Sequence, residues 1–464
     1  MFDASYSIGN LEIHINKLDI FAQYFEALSI KMFNRSEKIK IAIVGLGYVG
    51  LPLAVEFANQ YAVTGFDLKK RRVNEINNGI DSTLEVDNDK LKAVLTLDNA
   101  VKGLKCSADV DDIAGSNVYI IVVPTPTDNH NRPDLSLIIK ATEAVGGLLK
   151  TGDVVIYEST VFPGCTEEIC VPILEKTSGL KFNHGFFAGY SPERINPGDK
   201  VHQLTNILKV TSGSTPEAAE FIDNLYRTII TAGTHKAPSI KVAEACKVIE
   251  NSQRDINIAF VNELAKIFNL MGIDSHDVLA AAGTKWNFLN FKPGLVGGHC
   301  TGVDPYYLAQ KAQELGYHPE IILAGRRLND GMGKYVALEV IKLMIRNDIA
   351  VKNAHILVLG FTFKENCTDV RNTRVIDIIN VLTDFEARYD VYDPWASPQE
   401  VELEYGISTI DRFEQVGRNY DAIILAVSHD EFKKLNFNEL KKEEKSVIYD
   451  IKGILDAGVA NGRL

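Results

Sequence analysis

Lys40-Ile41-Ala42-Ile43-Val44-Gly45-Leu46-Gly47-Tyr48-Val49-Gly50 is the stretch that decides the fold. Its first five residues are mostly β-branched or apolar and read as a buried strand. A Gly-x-Gly-x-x-Gly pattern follows at once, and an apolar, helix-like run comes after it. In that setting each glycine has a task. The first permits a tight turn, the second lets backbone approach a pyrophosphate, and the third lets helix and strand pack closely. The helix N-terminus then offers free N–H groups to phosphate oxygens. Asp67 ends the next strand-like run, about 20 residues on, where a carboxylate accepts hydrogen bonds from an adenosine ribose and repels a 2′-phosphate. The pattern predicts a dinucleotide site that prefers NAD to NADP. The basic run Lys69-Lys70-Arg71-Arg72 could hold a 2′-phosphate, or be a solvated helix face with one member near the cofactor.

Working outward, residues 39–159 alternate β-rich and helical runs. Strands are expected at 40–44, 62–67, 117–123 and 154–158, as in a parallel doubly wound sheet. Pro124-Thr125-Pro126-Thr127 breaks the chain where strand ends would line a crevice. From about 239 to 270 the pattern is helical, with apolar residues too widely spread for one narrow stripe. Such a helix is buried in a core or a subunit interface. After Asn353 the strand–helix alternation restarts, with strands expected at 355–360, 389–393, 422–428 and 447–450. The predicted architecture is therefore α/β, with two Rossmann-like doubly wound parallel-sheet domains joined by a long central helix. The boundaries are an extension over 1–38, a dinucleotide-binding domain over 39–232, a helical dimerisation and active-site region over 233–350, and a second α/β domain over 351–464.

Composition sets limits. The chain has 464 residues, 46% hydrophobic and 24% charged, with a net charge of −12. That suits a soluble globular protein and argues against a general binder of nucleic acid or membrane surfaces. No apolar run approaches the ~20 residues of a membrane span. The six cysteines are scattered, without Cys-x-x-Cys or zinc spacing, so no metal is expected and reduced thiols in the cytoplasm are the simple reading. Residues 11–30 could form an amphipathic helix. They lack the basic region and cleavage site of a secretory signal. They read as part of a poorly packed extension or of an upstream start, or alternatively as a partner-binding helix.

Gly297-Gly298-His299-Cys300-Thr301-Gly302-Val303-Asp304 carries the chemistry. A lone cysteine is most often a small buried apolar residue. Among glycines on a polar loop, Cys300 reads instead as an accessible nucleophile. Glu158 to Gly164 follows a strand end, as an active-site loop should. Ser191 to Gly198 is a rigid polar loop containing Glu193 and Arg194. Lys247 and Asn251, four apart on a helix, share a face and could clamp an oxyanion; an exposed polar stripe is the plain alternative. A dinucleotide site with a nucleophilic cysteine suggests oxidation through a thiol-bound intermediate.

Together these motifs resemble the nucleotide-sugar 6-dehydrogenase family, the UDP-glucose and GDP-mannose dehydrogenases, from about Lys38 to Ile454. Thr284 to Leu289, Phe291 to Cys300 and Gly360 to Cys367 are similar to the Vi-antigen-type branch, which oxidises UDP-N-acetylhexosamines. The resemblance implies an NAD-dependent four-electron oxidation of the C6 alcohol of UDP-N-acetylglucosamine to a carboxylate, for surface polysaccharide synthesis. UDP-N-acetylgalactosamine is the alternative substrate, UDP-glucose is less expected, and a nucleotide-sensing scaffold is the non-enzyme reading. By the same resemblance Cys300 is the nucleophile, Lys247 and Asn251 steady the oxyanion, Asp304 orients water, Thr160 positions a water and Glu193 assists hydrolysis. A second glutamate of the UDP-glucose enzymes is replaced here by Pro197, which leaves Glu193, Glu158 and Asp304 as candidates for the final step. The implied cofactor set is Gly45, Gly47, Tyr48, Val49, Gly50, Asp67, Arg72, Pro124, Thr125, Thr160 and Arg371. The implied substrate set is Glu193, Arg194, Lys247, Asn251, Asn287, Phe291, Lys292, Gly297 and Lys364. The long helix is expected to form a homodimer core, and the second α/β domain to bind UDP.

Overall fold

The computed structural model describes Tyr6–Ser7, Glu12–Ile13 and residues 38–464 except 129, 196–200, 299–300 and 457. Contacts divide the chain into two compact units, Met1–Thr125 with Asp134–Lys247, and Pro126–Pro133 with Val248–Leu464.

The first unit is built on a six-stranded sheet: β1 (Lys40–Val44), β2 (Ala62–Phe66), β3 (Gly103–Ser107), β4 (Val118–Ile121), β5 (Asp153–Tyr157) and β6 (Phe186–Tyr190). Their order is β3-β2-β1-β4-β5-β6, and every pairing is parallel. This is the doubly wound dinucleotide-binding order, whose crevice opens where the order reverses, beside the carboxyl ends of β1 and β4. A parallel sheet covered on both faces needs continuous apolar strands. Accordingly Ile41–Val44 and all of β4 and β5 are buried. A short parallel pair, β7 (Lys209–Thr211) and β8 (Thr234–Lys236), completes the unit.

The second unit holds β9 (His355–Leu359), β10 (Arg388–Tyr392), β11 (Ala422–Leu425), β12 (Val447–Asp450) and β13 (Gly462–Arg463). They run parallel in the order β10-β9-β11-β12-β13, the other common doubly wound topology.

The sequence pattern misses β3 and β6. In β3, Gly103 and exposed Lys105 interrupt the apolar run. In β6, Phe-Phe-Ala-Gly-Tyr contains a strand-weakening glycine. Yet Gly189 is where Ile222 and the Ser212 carbonyl press closest, leaving no room for a Cβ. Glu12–Ile13, inside the expected N-terminal helix, is extended and pairs antiparallel with Tyr6–Ser7. The alternation Leu11-Glu12-Ile13-His14-Ile15 explains that: its period is two. The remainder of that expected helix lies outside the described residues.

The predicted long helix runs over Ile240–Met271. One flank is buried through Ala243, Val248, Ala259, Val261 and Ala265. Another exposes Val242, Ile249, Phe260, Ile267 and Met271. No helix among the described residues is long and apolar enough to cross a membrane.

Candidate active site

The turn after β1 has the geometry its glycines require. Gly45 sits at φ +101°, and a Cβ there would lie 2.6 Å from the Val122 carbonyl oxygen. A Cβ on Gly50 would meet the Gly45 carbonyl at 1.8 Å. A Cβ on Gly47 would meet nothing. That open side is where a pyrophosphate would approach. The helix that follows, Gly50–Ala58, begins at Val49 with no side-chain cap and no acid in its first turn, so its N-terminal dipole is left for a ligand anion.

Asp67 ends β2 and accepts the Leu46 N–H at 2.9 Å and the Lys69 N–H at 2.8 Å. Its two oxygens are thereby held against the glycine turn and the start of the next helix. Arg72 stands apart from its exposed neighbours Lys69, Lys70 and Arg71. It is buried, donates to the Leu46 carbonyl at 2.9 Å and pairs with Asp81 at 2.7 Å. Its visible task is bracing the glycine loop from beneath. Across the switch point, Thr125 Oγ1 donates to the Thr160 carbonyl and Ser159 Oγ to the Val123 carbonyl, both at 2.7 Å. The loops after β4 and β5, which carry Pro124 and Thr160, are thereby fastened together.

Glu158, Glu193 and Lys209 form a buried charged cluster in this unit. Lys209 Nζ lies 2.6 Å from Glu158 Oε2, and the Tyr226 hydroxyl donates to Glu158 Oε1. Both carboxylate oxygens of Glu158 are thus engaged. Glu193 is buried, and burial pushes its carboxyl above the usual range, while Lys247 and then Lys209 pull it back. Its oxygen accepts the Ile195 N–H. Arg194 donates to the Leu208 carbonyl at 2.9 Å and reaches Cys246 Sγ at 3.7 Å.

Lys247 and Asn251 are both buried on the long helix. This excludes the exposed-stripe reading. Asn251 Nδ2 donates to Asp304 Oδ2 at 2.5 Å. Asp304 is fully buried in the first turn of Asp304–Glu314, where the helix dipole favours its charge. Cys300, His299 and Pro197 lie outside the described residues. The flanks of the cysteine loop are described, and Asn372 holds the first of them at Gly298. Its carbonyl accepts the Gly298 N–H at 3.2 Å, and its side-chain amide donates to the Gly298 carbonyl at 2.9 Å.

On the substrate segment, Asn287 and Lys292 are exposed and Phe291 is partly buried. Asn262 grips Gly294 in both directions, accepting its N–H at 2.8 Å and donating to its carbonyl at 3.0 Å. Arg371 is held by Asp369 through two hydrogen bonds, at 2.9 and 2.8 Å. Lys364 sits over the Phe363 ring, 5.5 Å from its centre.

Sequence reasoning missed Glu244, Asn262 and Asn372. Only Glu244's interior position on a long helix hinted at a role. Its carboxylate accepts the N–H groups of Gly164 and Thr166 at 2.5 and 2.8 Å, clasping the end of the Thr160 loop. Burial outweighs these bonds and pushes the group up to about 7 from an ordinary 4.5. Its folded-state value is raised, so its stability contribution is full below the unfolded value and is lost as pH rises through about 7. Between those limits stability should fall by about 3 kcal/mol from this group. Melting curves of the wild type and Glu244→Gln from pH 4.5 to 8 check this: the difference between the two must change across that window.

Two parallel doubly wound sheets, the first with a glycine turn after β1 and an acid at the end of β2, have the form of a dinucleotide-dependent dehydrogenase. The chain matches the UDP-glucose/GDP-mannose dehydrogenase family over the NAD binding domain (residues 39–230), the central domain (241–331) and the UDP binding domain (357–457). It is 58% identical over 428 residues to the UDP-N-acetyl-D-glucosamine 6-dehydrogenase of Pseudomonas aeruginosa, covering 92% of this chain and 99% of that protein. It is 55% identical over 430 residues to the enzyme of the same name from Salmonella typhi, with 92% and 99% covered. Among solved structures, the UDP-D-ManNAc dehydrogenase of Pyrococcus horikoshii superposes with a TM-score of 0.83 at 31% identity, covering 92% of this chain and 98% of that one. The chain belongs to the UDP-glucose/GDP-mannose dehydrogenase family and is an NAD-dependent UDP-sugar 6-dehydrogenase.

Proposed function

We propose that this enzyme oxidises the C6 alcohol of UDP-N-acetylglucosamine to the carboxylate, giving a uronic acid donor for surface polysaccharide. The observation that carries the sugar assignment is the 58% and 55% identity, over 99% of each partner's length, to two enzymes bearing that name.

Two NAD molecules in turn would each accept one hydride, and the turn at Gly45–Gly50 with Asp67 would hold each of them. As the first hydride leaves, the alcohol proton must go to a base, and the product is an aldehyde. The Cys300 thiolate adds to that carbonyl and forms a thiohemiacetal. Its oxygen carries developing charge, which the Lys247 ammonium and Asn251 amide stabilise from fixed, buried positions. Loss of a second hydride gives a thioester. Water attacks it, releasing carboxylate and free thiol. Of the three candidate carboxylates for that step, Glu158 is engaged at both oxygens, Asp304 is oriented by Asn251 in the unit carrying the cysteine loop, and Glu193 is buried and raised in pKa. Glu193 suits proton uptake from the attacking water. Covalent capture keeps the aldehyde from escaping.

The test is NADH formation at 340 nm with limiting UDP-N-acetylglucosamine and, side by side, UDP-N-acetylgalactosamine. Two NADH per sugar and a uronate mass are expected, faster with the former. A faster reaction with the galacto epimer would replace the sugar and keep the chemistry. One NADH per sugar would defeat the four-electron route.

The exposed stripe Val242, Ile249, Phe260, Ile267 and Met271 recurs on one side of the long helix for more than seven turns. An uncovered apolar stripe of that length fits the same helix of a second copy. Phe260→Asp is expected to convert a dimer to monomer in light scattering. A variant that stays dimeric would move the interface elsewhere.

A further inference from the structure

His429, which no motif singled out, is buried at the carboxyl end of β11 with Asp393 beside it at the end of β10. Both side chains are fully inaccessible. The ring's protonation is fixed by its partners. Nδ1 accepts the backbone N–H of Asn366 at 2.9 Å, so it carries no proton. The proton is therefore on Nε2, which lies 3.0 Å from Asp393 Oδ2 and 3.2 Å from Thr362 Oγ1. The same Asp393 oxygen accepts the N–H groups of Phe361 and Thr362 at 2.6 and 2.9 Å, and Trp395 stacks on the imidazole.

These contacts grip one loop at both ends. Phe361 and Thr362 are its start. Asn366, in the left-handed region at φ +53°, is its end, and its amide exchanges hydrogen bonds with Asp430 at 2.8 and 3.2 Å. At the centre is Lys364, whose carbonyl accepts the Thr362 hydroxyl at 2.9 Å. The loop follows β9 at the carboxyl edge of the second sheet, where doubly wound folds bind ligands. We propose that His429 is a positioning residue for the UDP-sugar: through Asn366 and Asp393 it fixes the loop that presents Lys364 to the nucleotide. The inference rests on the proposed function and on Lys364 reaching the UDP-sugar, the role that the family resemblance implies.

A core-packing histidine and a positioning histidine respond differently to substitution. His429→Leu fills similar space without an acceptor for the Asn366 N–H. His429→Asn keeps an oxygen close to where Nδ1 stands. In the full-length enzyme His429→Leu is expected to raise KM for the UDP-sugar, and Kd for UDP by calorimetry, about tenfold. It should leave KM for NAD unchanged and kcat within about twofold. His429→Asn should restore most of the loss. Should the leucine variant not fold, Asn366→Ala on the loop itself should weaken UDP binding in the same direction. Wild-type UDP affinity in His429→Leu, or in Asn366→Ala where the first is unfolded, overturns the proposal, as does a loss shared equally by NAD. Lys364→Met separates the two levels. If it weakens UDP binding while the His429 and Asn366 variants do not, the positioning role alone fails. If it leaves UDP binding intact, the reading of Lys364 fails and this inference with it.

Discussion

Cys300→Ala should lower uronate formation at least about a thousandfold while UDP and NAD affinities stay within a few-fold of wild type. The chemistry sets that scale. An aldehyde has no good hydride to give until a nucleophile adds to its carbonyl. A thiolate adds readily, and the sulfur then leaves from the thioester when water attacks. Alanine removes both steps. Lys247 and Asn251, proposed above to stabilise the oxyanion, remain in place, so the first hydride transfer can still proceed. The diagnostic result is a burst of at most one NADH per site followed by a stall. Product mass, NADH stoichiometry and calorimetric binding of UDP and NAD decide it together. Two NADH per sugar at an undiminished rate in this variant would take Cys300 out of the reaction.

What the sequence shows in advance is whatever repeats locally. The turn Gly45–Gly50 with Asp67 is written within one strand–helix–strand unit, and its observed geometry follows from residues adjacent in sequence. The helix Ile240–Met271 matches the expected 239–270 because no proline interrupts it and apolar residues persist along it. The contacts that shape the candidate site join residues far apart in the chain. Glu244 reaches back about 80 residues to Gly164, Asn372 about 75 to Gly298 and His429 about 65 to Asn366. A single polar residue in a strand or helix looks alike whether it faces solvent or clasps a distant loop. For the same reason Arg72 looks like one more member of a basic surface run, although it is buried against Leu46 and Asp81. β3 and β6 escaped for a different reason. Their glycines signal weak strands locally, and only neighbouring strands and Ile222 supply what holds them.

Lys209→Met is expected to destabilise the fold by about 3–5 kcal/mol, because it strands the Glu158 charge in a site buried from solvent. The two side chains are 3% and 0% exposed. The Tyr226 hydroxyl remains as a hydrogen-bond donor but carries no charge. By contrast, removing both charges with Lys209→Met and Glu158→Leu should recover most of the loss, since a buried ion pair gains little over an apolar pair of similar size. Thermal melting of the wild type, the single variant and the double variant tests this directly. A single variant as stable as wild type would mean that Glu158 is already neutral in the folded protein. The same pair acts on Glu193, which burial raises and Lys247 and Lys209 lower. Without Lys209 its pKa should climb, so a hydrolysis that needs Glu193 ionised should fail at a higher pH on the acid side. In the double variant the lost cation and the lost anion oppose each other at Glu193, and the acid limb should move back towards its original position. If the acid limb does not move in the single variant, Glu193 is not the group whose ionisation limits the reaction, and Asp304, held by Asn251, takes that role.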